Sequence, residues 1–248
     1  MLHAVACRMA FTLRGHISTE TESLGGIITI EERRTRHIRR LFWHCYIFDN
    51  DIALRIGQPP IISETQCDLT LPIAYDERHF FPNLSLSASA LISFANTDQI
   101  LEPSLPGELR LSRLKHKTCE LLYSAHALSK SNVELIRAIL ALDNELEQWR
   151  LSVPPEFRPS LSISNTKRRF PNHGMPQVMQ HITLHLEYHY LIVKIHQASA
   201  RCGAWELIFN KDCRAVVSSS MALCLEASRS TLFYLTAAMD QRVHDAFW

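Results

Sequence analysis

The chain has 248 residues, 46% of them apolar and 21% charged, with a formal net charge of +1. That length supports one large domain or two small ones, with a core that withdraws roughly 70–75% of the unfolded surface from water. The near-neutral balance excludes a global field drawing the whole chain to nucleic acid or a membrane surface, and no run of about 18 apolar residues offers a membrane-spanning helix.

Only seven glycines occur, strand-type alternation is scarce, and 3.6-residue periodicity dominates. The expected fold is all-α, an irregular array of about seven helices forming one domain over 1–248. A helix is predicted over 2–14, followed by a loop over 17–30 that contains Gly25-Gly26. Residues 31–56 carry a strong helical pattern. Its apolar face is read as Ile38, Leu41, Phe42, Cys45, Phe48 or Asp49, Ile52 and Ile56, with Glu31, Glu32 and the arginines after them on a solvated face. Gly57 is placed to end this helix, and Pro59-Pro60 forbids its continuation. Residues 61–82 read as irregular, 84–101 as a helix, and 109–128 as one amphipathic helix. Ser131-x-x-Glu134 is a capping box. It opens a helix whose stripe is Leu135, Ile139, Leu142, Leu146 and Trp149, and Pro154-Pro155 stops it. Residues 154–176 hold five prolines and the basic triplet Lys167-Arg168-Arg169, and read as a flexible loop. Two long helices follow, over 177–201 and 212–235.

Little of this pattern carries catalytic chemistry. The seven cysteines are widely spaced and lie mostly in apolar helical patterns, which reads as buried free thiols in a reducing compartment. No Cys-x-x-Cys occurs, so no zinc finger or six-cysteine cluster assembles locally. His181, His185 and His189 share one helix face at i, i+4, i+8 and are the candidate metal ligands. Glu187 falls between the last two, where neither metalloprotease motif needs it, so histidines packed on an amphipathic helix are the favoured reading. Asp49-Asn50-Asp51 suits pairing with nearby arginines better than magnesium binding. Neither a phosphate loop, a dinucleotide-binding glycine motif nor a nucleophile elbow appears. The stretch 31–40 sets five arginines against two glutamates, a solvated helix face more than a DNA-reading surface.

One stretch is distinctive. Arg39-Arg40-Leu41-Phe42-Trp43, then Tyr46, Asp49, Arg55, Gly57, Pro59-Pro60, Asp68 and Leu71-Pro72 resemble the signature of the fungal transcription-factor regulatory domain, the middle homology or xylanolytic-activator-type domain. Leu13-Arg14-Gly15-His16 is similar to a degraded Gly-Leu-His element of that family. Trp149 with Pro154-Pro155, and the Leu/His/Tyr-rich stretch from His185 to His196, fit its later helices. Physically, the signature sets cations beside aromatic rings. An arginine there can pair with Asp49 or Asp51, or stack on Phe42 or Trp43, and Asp68 is a candidate partner. The signature residues are expected to act in folding and packing.

The resemblance implies a nuclear regulatory domain of a zinc-cluster transcription factor, without catalysis. It implies no cofactor in this chain, zinc belonging only to an upstream cluster that these residues lack, so that the domain reads as N-terminally truncated. Expected partners are proteins or a second copy and a small-molecule effector. DNA would be reached only through the missing module, and no membrane is involved. The alternatives are an all-α metal-dependent enzyme and a zinc-cluster-less regulator acting through protein partners.

Overall fold

The computed structural model describes residues 2–18, 29–72, 75–80, 105–161, 175–202 and 211–240. They are helical, with no strand among the described residues. The chain divides into two compact units, Met1–Ser112 and Arg113–Trp248. The predicted helix over 84–101, Gly25-Gly26 and Lys167-Arg168-Arg169 lie outside the described residues.

In the first unit, α1 (Leu2–Thr12) packs on α2 (Ile30–Ile56). Thr29 and Glu32 form a capping box that opens α2, satisfying two of the helix's otherwise unpaired amides. Gly57 closes it in the left-handed region, φ 70°, donating its N–H to Ala53 O at 2.9 Å; a residue without Cβ adopts this conformation at no steric cost. The buried face shares Phe42 and Asp49 with the predicted one and is otherwise rotated around the helix. Phe42, Trp43, Tyr46, Ile47, Ala53 and Leu54 are buried together with Arg39, Asp49 and Asn50, while Leu41, Phe48, Ile52 and Ile56 are exposed. At 100° per residue the two sets lie on opposite sides of the helix. The periodicity is ambiguous because Arg39, Asp49 and Asn50 interrupt the true core face, while Leu41, Phe48, Ile52 and Ile56 make a competing apolar stripe on the other side.

The turn after α1 approaches α2 closely. Gly15 donates to Ala10 O at 2.9 Å, and a Cβ there would meet Ile38 O at 2.8 Å and Phe42 Cβ at 3.0 Å. Neither the backbone carbonyl nor a Cβ moves cheaply. Gly15→Ala is therefore expected to lower stability by about 1–3 kcal/mol, the range for overpacking a filled site, read as a fall in the urea midpoint. The core of the unit is completed by Cys7, Ala10, Ile62, Tyr75 from α3 (Tyr75–Phe80) and Leu109, the first residue of α4 (Leu109–Thr118).

In the second unit the predicted continuous helix over 109–128 is broken. A π-helical turn, Cys119–Tyr123, follows α4, and at Ser124 the backbone becomes extended (φ −68°, ψ 160°) before α5 (Ala125–Leu128). The physical reason is local. Ser124 Oγ accepts from Ala127 N at 3.0 Å and donates to Glu120 O at 2.7 Å, offering the backbone a cap in place of continuation. The capping box at Ser131 and Glu134 opens α6 (Asn132–Ser152), whose buried residues are the five predicted ones. After Pro154-Pro155, Arg158 donates to Leu151 O at 2.9 Å and Val153 O at 3.1 Å, covering carbonyls left without helical partners. α7 (Met175–Gln197), extended by a 3₁₀ turn at Ala198–Arg201, packs along α8 (Lys211–Asp240).

Candidate functional site

The signature residues build a polar knot inside the first unit. Arg39, on the core face of α2, is 5% exposed. Its guanidinium lies 4.7 Å above the Trp43 ring and 5.2 Å above Phe42. It donates to Gly15 O at 3.1 Å, Asp68 O at 2.6 Å and Thr70 O at 3.5 Å. One side chain thus joins the turn after α1, the segment at 68–70 and α2. Asp68 meets Arg39 through its backbone carbonyl, not its carboxylate. The carboxylate accepts Thr70 N at 2.9 Å, and hydrogen bonds from Thr70 hold its pKa below the usual carboxylate value. Asp68 N in turn donates to His16 O at 2.9 Å.

Asp49, one helical face along, has a different task from the arginine pairing expected of it. Oδ2 accepts both Ile61 N and Ile62 N at 2.8 Å, gripping the chain just after Pro59-Pro60. Oδ1 faces His3 Nε2 at 3.2 Å. His3 Nε2 lies 3.3 Å from Cys7 Sγ, and the ligand atoms of His3, Cys7 and Asp49 all fall within 4.8 Å of one another. The neighbouring Cys45 thiol and burial push the pKa of Cys7 up, and the Cys7 thiol brings that of Cys45 down to about 7. This grouping escaped the motif search, yet it had a sequence signal: His3 and Cys7, and again Cys45 and Asp49, stand four residues apart on predicted helices.

The remaining signature positions are dispersed. Arg40 is half-buried, and Leu41 is exposed. Arg55 is exposed and lies 3.8 Å from Asp51, Gly57 caps α2, Pro59 is exposed and Pro60 half-buried.

His181, His185 and His189 lie in the second unit. His185 stacks on Tyr234 of α8, with centroids 4.6 Å apart and planes 5° from parallel, and lies 4.4 Å from the His181 ring. His185 Nδ1 pairs with His181 O at 3.0 Å and His189 Nε2 with Ser160 O at 3.2 Å. The three rings stack and bridge to backbone. They are not among the groups whose ligand atoms converge in the described residues. Two further polar contacts run through this unit. Lys115 Nζ lies 3.0 Å from Glu187 Oε1, both groups deeply buried. His196 spans Ser220 Oγ at 3.2 Å and Asp143 Oδ1 at 3.1 Å. The last trio has a Ser-His-Asp composition, with Ser220 2% exposed on a helix. It serves to tie α6, α7 and α8.

Acid should loosen the first unit through His79. This histidine stacks on Tyr75 at 5.2 Å, and burial followed by the Arg110 charge lowers its pKa from 6.5 to about 4. Between those values the unfolded chain binds a proton that the folded chain refuses, so stability falls as pH drops through that window. The loss is about 3 kcal/mol when complete. Urea midpoints measured from pH 7 to 4 should show a slope that His79→Gln reduces; equal slopes would sink the assignment.

Known proteins place this architecture. Residues 1–151 match the family described as "Fungal specific transcription factor domain", and the chain belongs to that family. An "ABC-transporter-regulating transcription factor" of Aspergillus oryzae is 29% identical over 214 residues, 83% of this chain and 22% of the relative. The Aspergillus fumigatus protein of the same description shows the same identity and coverage. A transcriptional regulatory protein of Schizosaccharomyces pombe is 29% identical over 123 residues, 49% of this chain and 13% of its own length. The chain therefore spans about a fifth of the length of its Aspergillus relatives. No solved structure matches it. The family and the relatives assign a regulatory role in transcription, and the described helices include none long and apolar enough to cross a membrane.

Proposed function

We propose that residues 1–248 are the regulatory domain of a zinc-cluster-type transcription factor that works in the nucleus and modulates RNA polymerase II transcription. The observation that carries this reading is the family match over 1–151, within which Arg39, Phe42, Trp43 and Asp49 form one buried knot. DNA contact is assigned to a zinc-cluster module and not to these residues. The exposed Arg33, Arg34 and Arg36 fit a solvated helix face, with Arg34 beside Glu31. No catalysis is assigned, since the polar groups described are engaged in tying helices together. The domain receives a protein or small-molecule signal and answers by favouring one of two helix packings, which requires an effector that binds one packing better.

The test is to fuse the full chain to a heterologous DNA-binding module in a fungal reporter strain. Reporter output that depends on the domain, and is altered by Arg39→Lys without loss of the protein, supports the reading. Output equal to that of the DNA-binding module alone overturns it. The Aspergillus relatives make ABC-transporter genes the first native targets to assay after deletion of the gene.

A further inference from the structure

We propose that His3, Cys7 and Asp49 form a binding site for a zinc-like divalent cation between α1 and α2. His3 and Cys7 stand at i, i+4 spacing on α1, and Asp49 lies on the buried face of α2. That spacing sets two side chains on one face about one turn apart, and the faces meet because α1 packs on α2. An imidazole, a carboxylate and a thiol already converge: His3 Nε2 to Asp49 Oδ1 is 3.2 Å, His3 Nε2 to Cys7 Sγ is 3.3 Å, and the three ligand atoms all lie within 4.8 Å of each other. The edges of a tetrahedral zinc site built from Zn–N, Zn–O and Zn–S bonds of ordinary length are roughly 3.3–3.8 Å. The site is therefore near ligand spacing before any ion enters. With three protein ligands, the fourth tetrahedral position falls to a solvent molecule.

The donor set also selects the ion. Nitrogen, sulfur and oxygen together suit zinc. All-oxygen sets suit magnesium or calcium, and sulfur-rich sets suit monovalent copper. Two further features favour a resident cation over an accidental cluster. Asp49 is buried, and its second oxygen is fixed by the amides of Ile61 and Ile62, the kind of outer hydrogen bonding that orients a metal-binding carboxylate. Cys7 is 1% exposed within the aromatic core of Phe42, Trp43 and Tyr46, which keeps competing water away from the sulfur. On binding, the Cys7 thiol releases its proton to solvent, and the thiolate and the Asp49 carboxylate neutralise the ion. The cation would lock α1 to α2 and to the turn that follows Pro59-Pro60, making the packing of the first unit responsive to metal supply.

The experiment is titration of the reduced full chain with cobalt(II), followed by displacement with zinc. One equivalent of cobalt should give thiolate-to-metal charge-transfer absorption and intense tetrahedral d–d bands, zinc should abolish both, and binding should release protons to a weak buffer. His3→Gln and Cys7→Ser should each weaken binding by more than the roughly 10–100-fold that loss of an outer-shell partner brings. Cys224→Ser, a thiol of the second unit, should leave the spectrum intact. His3 is partly exposed near the start of α1, so the His3→Gln variant keeps the test decisive if a cysteine variant misfolds. A pale octahedral spectrum, no binding, or affinity unchanged in His3→Gln or Cys7→Ser overturns the site.

Discussion

Replacing Arg39 with alanine should destabilise the protein by about 3–5 kcal/mol, and replacing it with lysine should recover less than half of that loss. The guanidinium donates to three carbonyl oxygens from two chain segments and covers two aromatic rings. Charged hydrogen bonds contribute about 1.5–3 kcal/mol each at most, and a desolvated cation over an aromatic ring about 2. These do not add, because the same groups are ordered once. Alanine also leaves Gly15 O and Asp68 O facing a cavity beside Trp43, and unsatisfied buried acceptors are what raise such costs. Lysine keeps the charge but is a point donor on a flexible stem, without the planar fork that reaches Gly15 and Asp68 together or the flat face that stacks. Urea unfolding of the two variants against the parent decides the matter. A lysine variant within about 0.5 kcal/mol of the parent would mean that charge alone holds the knot, and the geometric argument would fail.

The contrast between Arg39 and its neighbours shows what was legible in the sequence. Two helix limits were, because their causes are local: Gly57 and Pro59-Pro60 end α2, and the Ser131–Glu134 box opens α6; α3, inside the stretch 61–82 read as irregular, was not. The stripe of α6 was legible too, since every buried position on it is apolar. The face of α2 was not. Its buried side is interrupted by Arg39, Asp49 and Asn50, and its exposed side offers Leu41, Phe48, Ile52 and Ile56 as a competing apolar stripe, so periodicity alone leaves the face ambiguous. For Arg39 and Asp49 tertiary partners resolve the conflict: carbonyls from 15, 68 and 70 and amides from 61 and 62. Asn50 is satisfied within α2, donating to Tyr46 O at 3.0 Å. The break at Ser124 was hidden for a related reason. Serine reads as a tolerated helix residue until its hydroxyl is seen to cap Ala127. The cluster around Cys7 lay in plain spacing, but two i, i+4 pairs gain meaning only once α1 and α2 are known to face each other.

This distribution of polar groups bears on the regulatory role. A domain that answers a signal needs an element with two packings of nearly equal free energy. Purely apolar cores slide between alternatives, whereas a buried guanidinium with named carbonyl partners fits one arrangement well and others badly. In the first unit the segments following α1 and α2 are fixed to α2 by Arg39 and Asp49, so an effector acting there would work by adding to or competing with these contacts. The exposed apolar side of α2, with Leu41, Phe48, Ile52 and Ile56, remains outside that knot.

The second large effect is expected at Lys115 and Glu187. Their charged atoms are 3.0 Å apart, with side chains 0% and 7% exposed, and they join α4 to α7. Removing one partner leaves the other charge poorly compensated in a low-dielectric interior, so Lys115→Ala or Glu187→Ala alone should cost about 3–5 kcal/mol. The pair itself need not stabilise the fold, because desolvating two ions consumes most of their attraction. Lys115→Met combined with Glu187→Leu removes both charges while keeping the volume, and should restore stability to within about 1 kcal/mol of the parent or above it. A double-mutant cycle followed by urea unfolding therefore predicts a large coupling energy and a small net contribution. If the double variant is as unstable as the worse single one, the ion pair is a net stabiliser rather than a registration device. If the double variant is stable but loses domain-dependent reporter output, the pair is retained to hold α7 in the register that regulation requires, at little gain in stability.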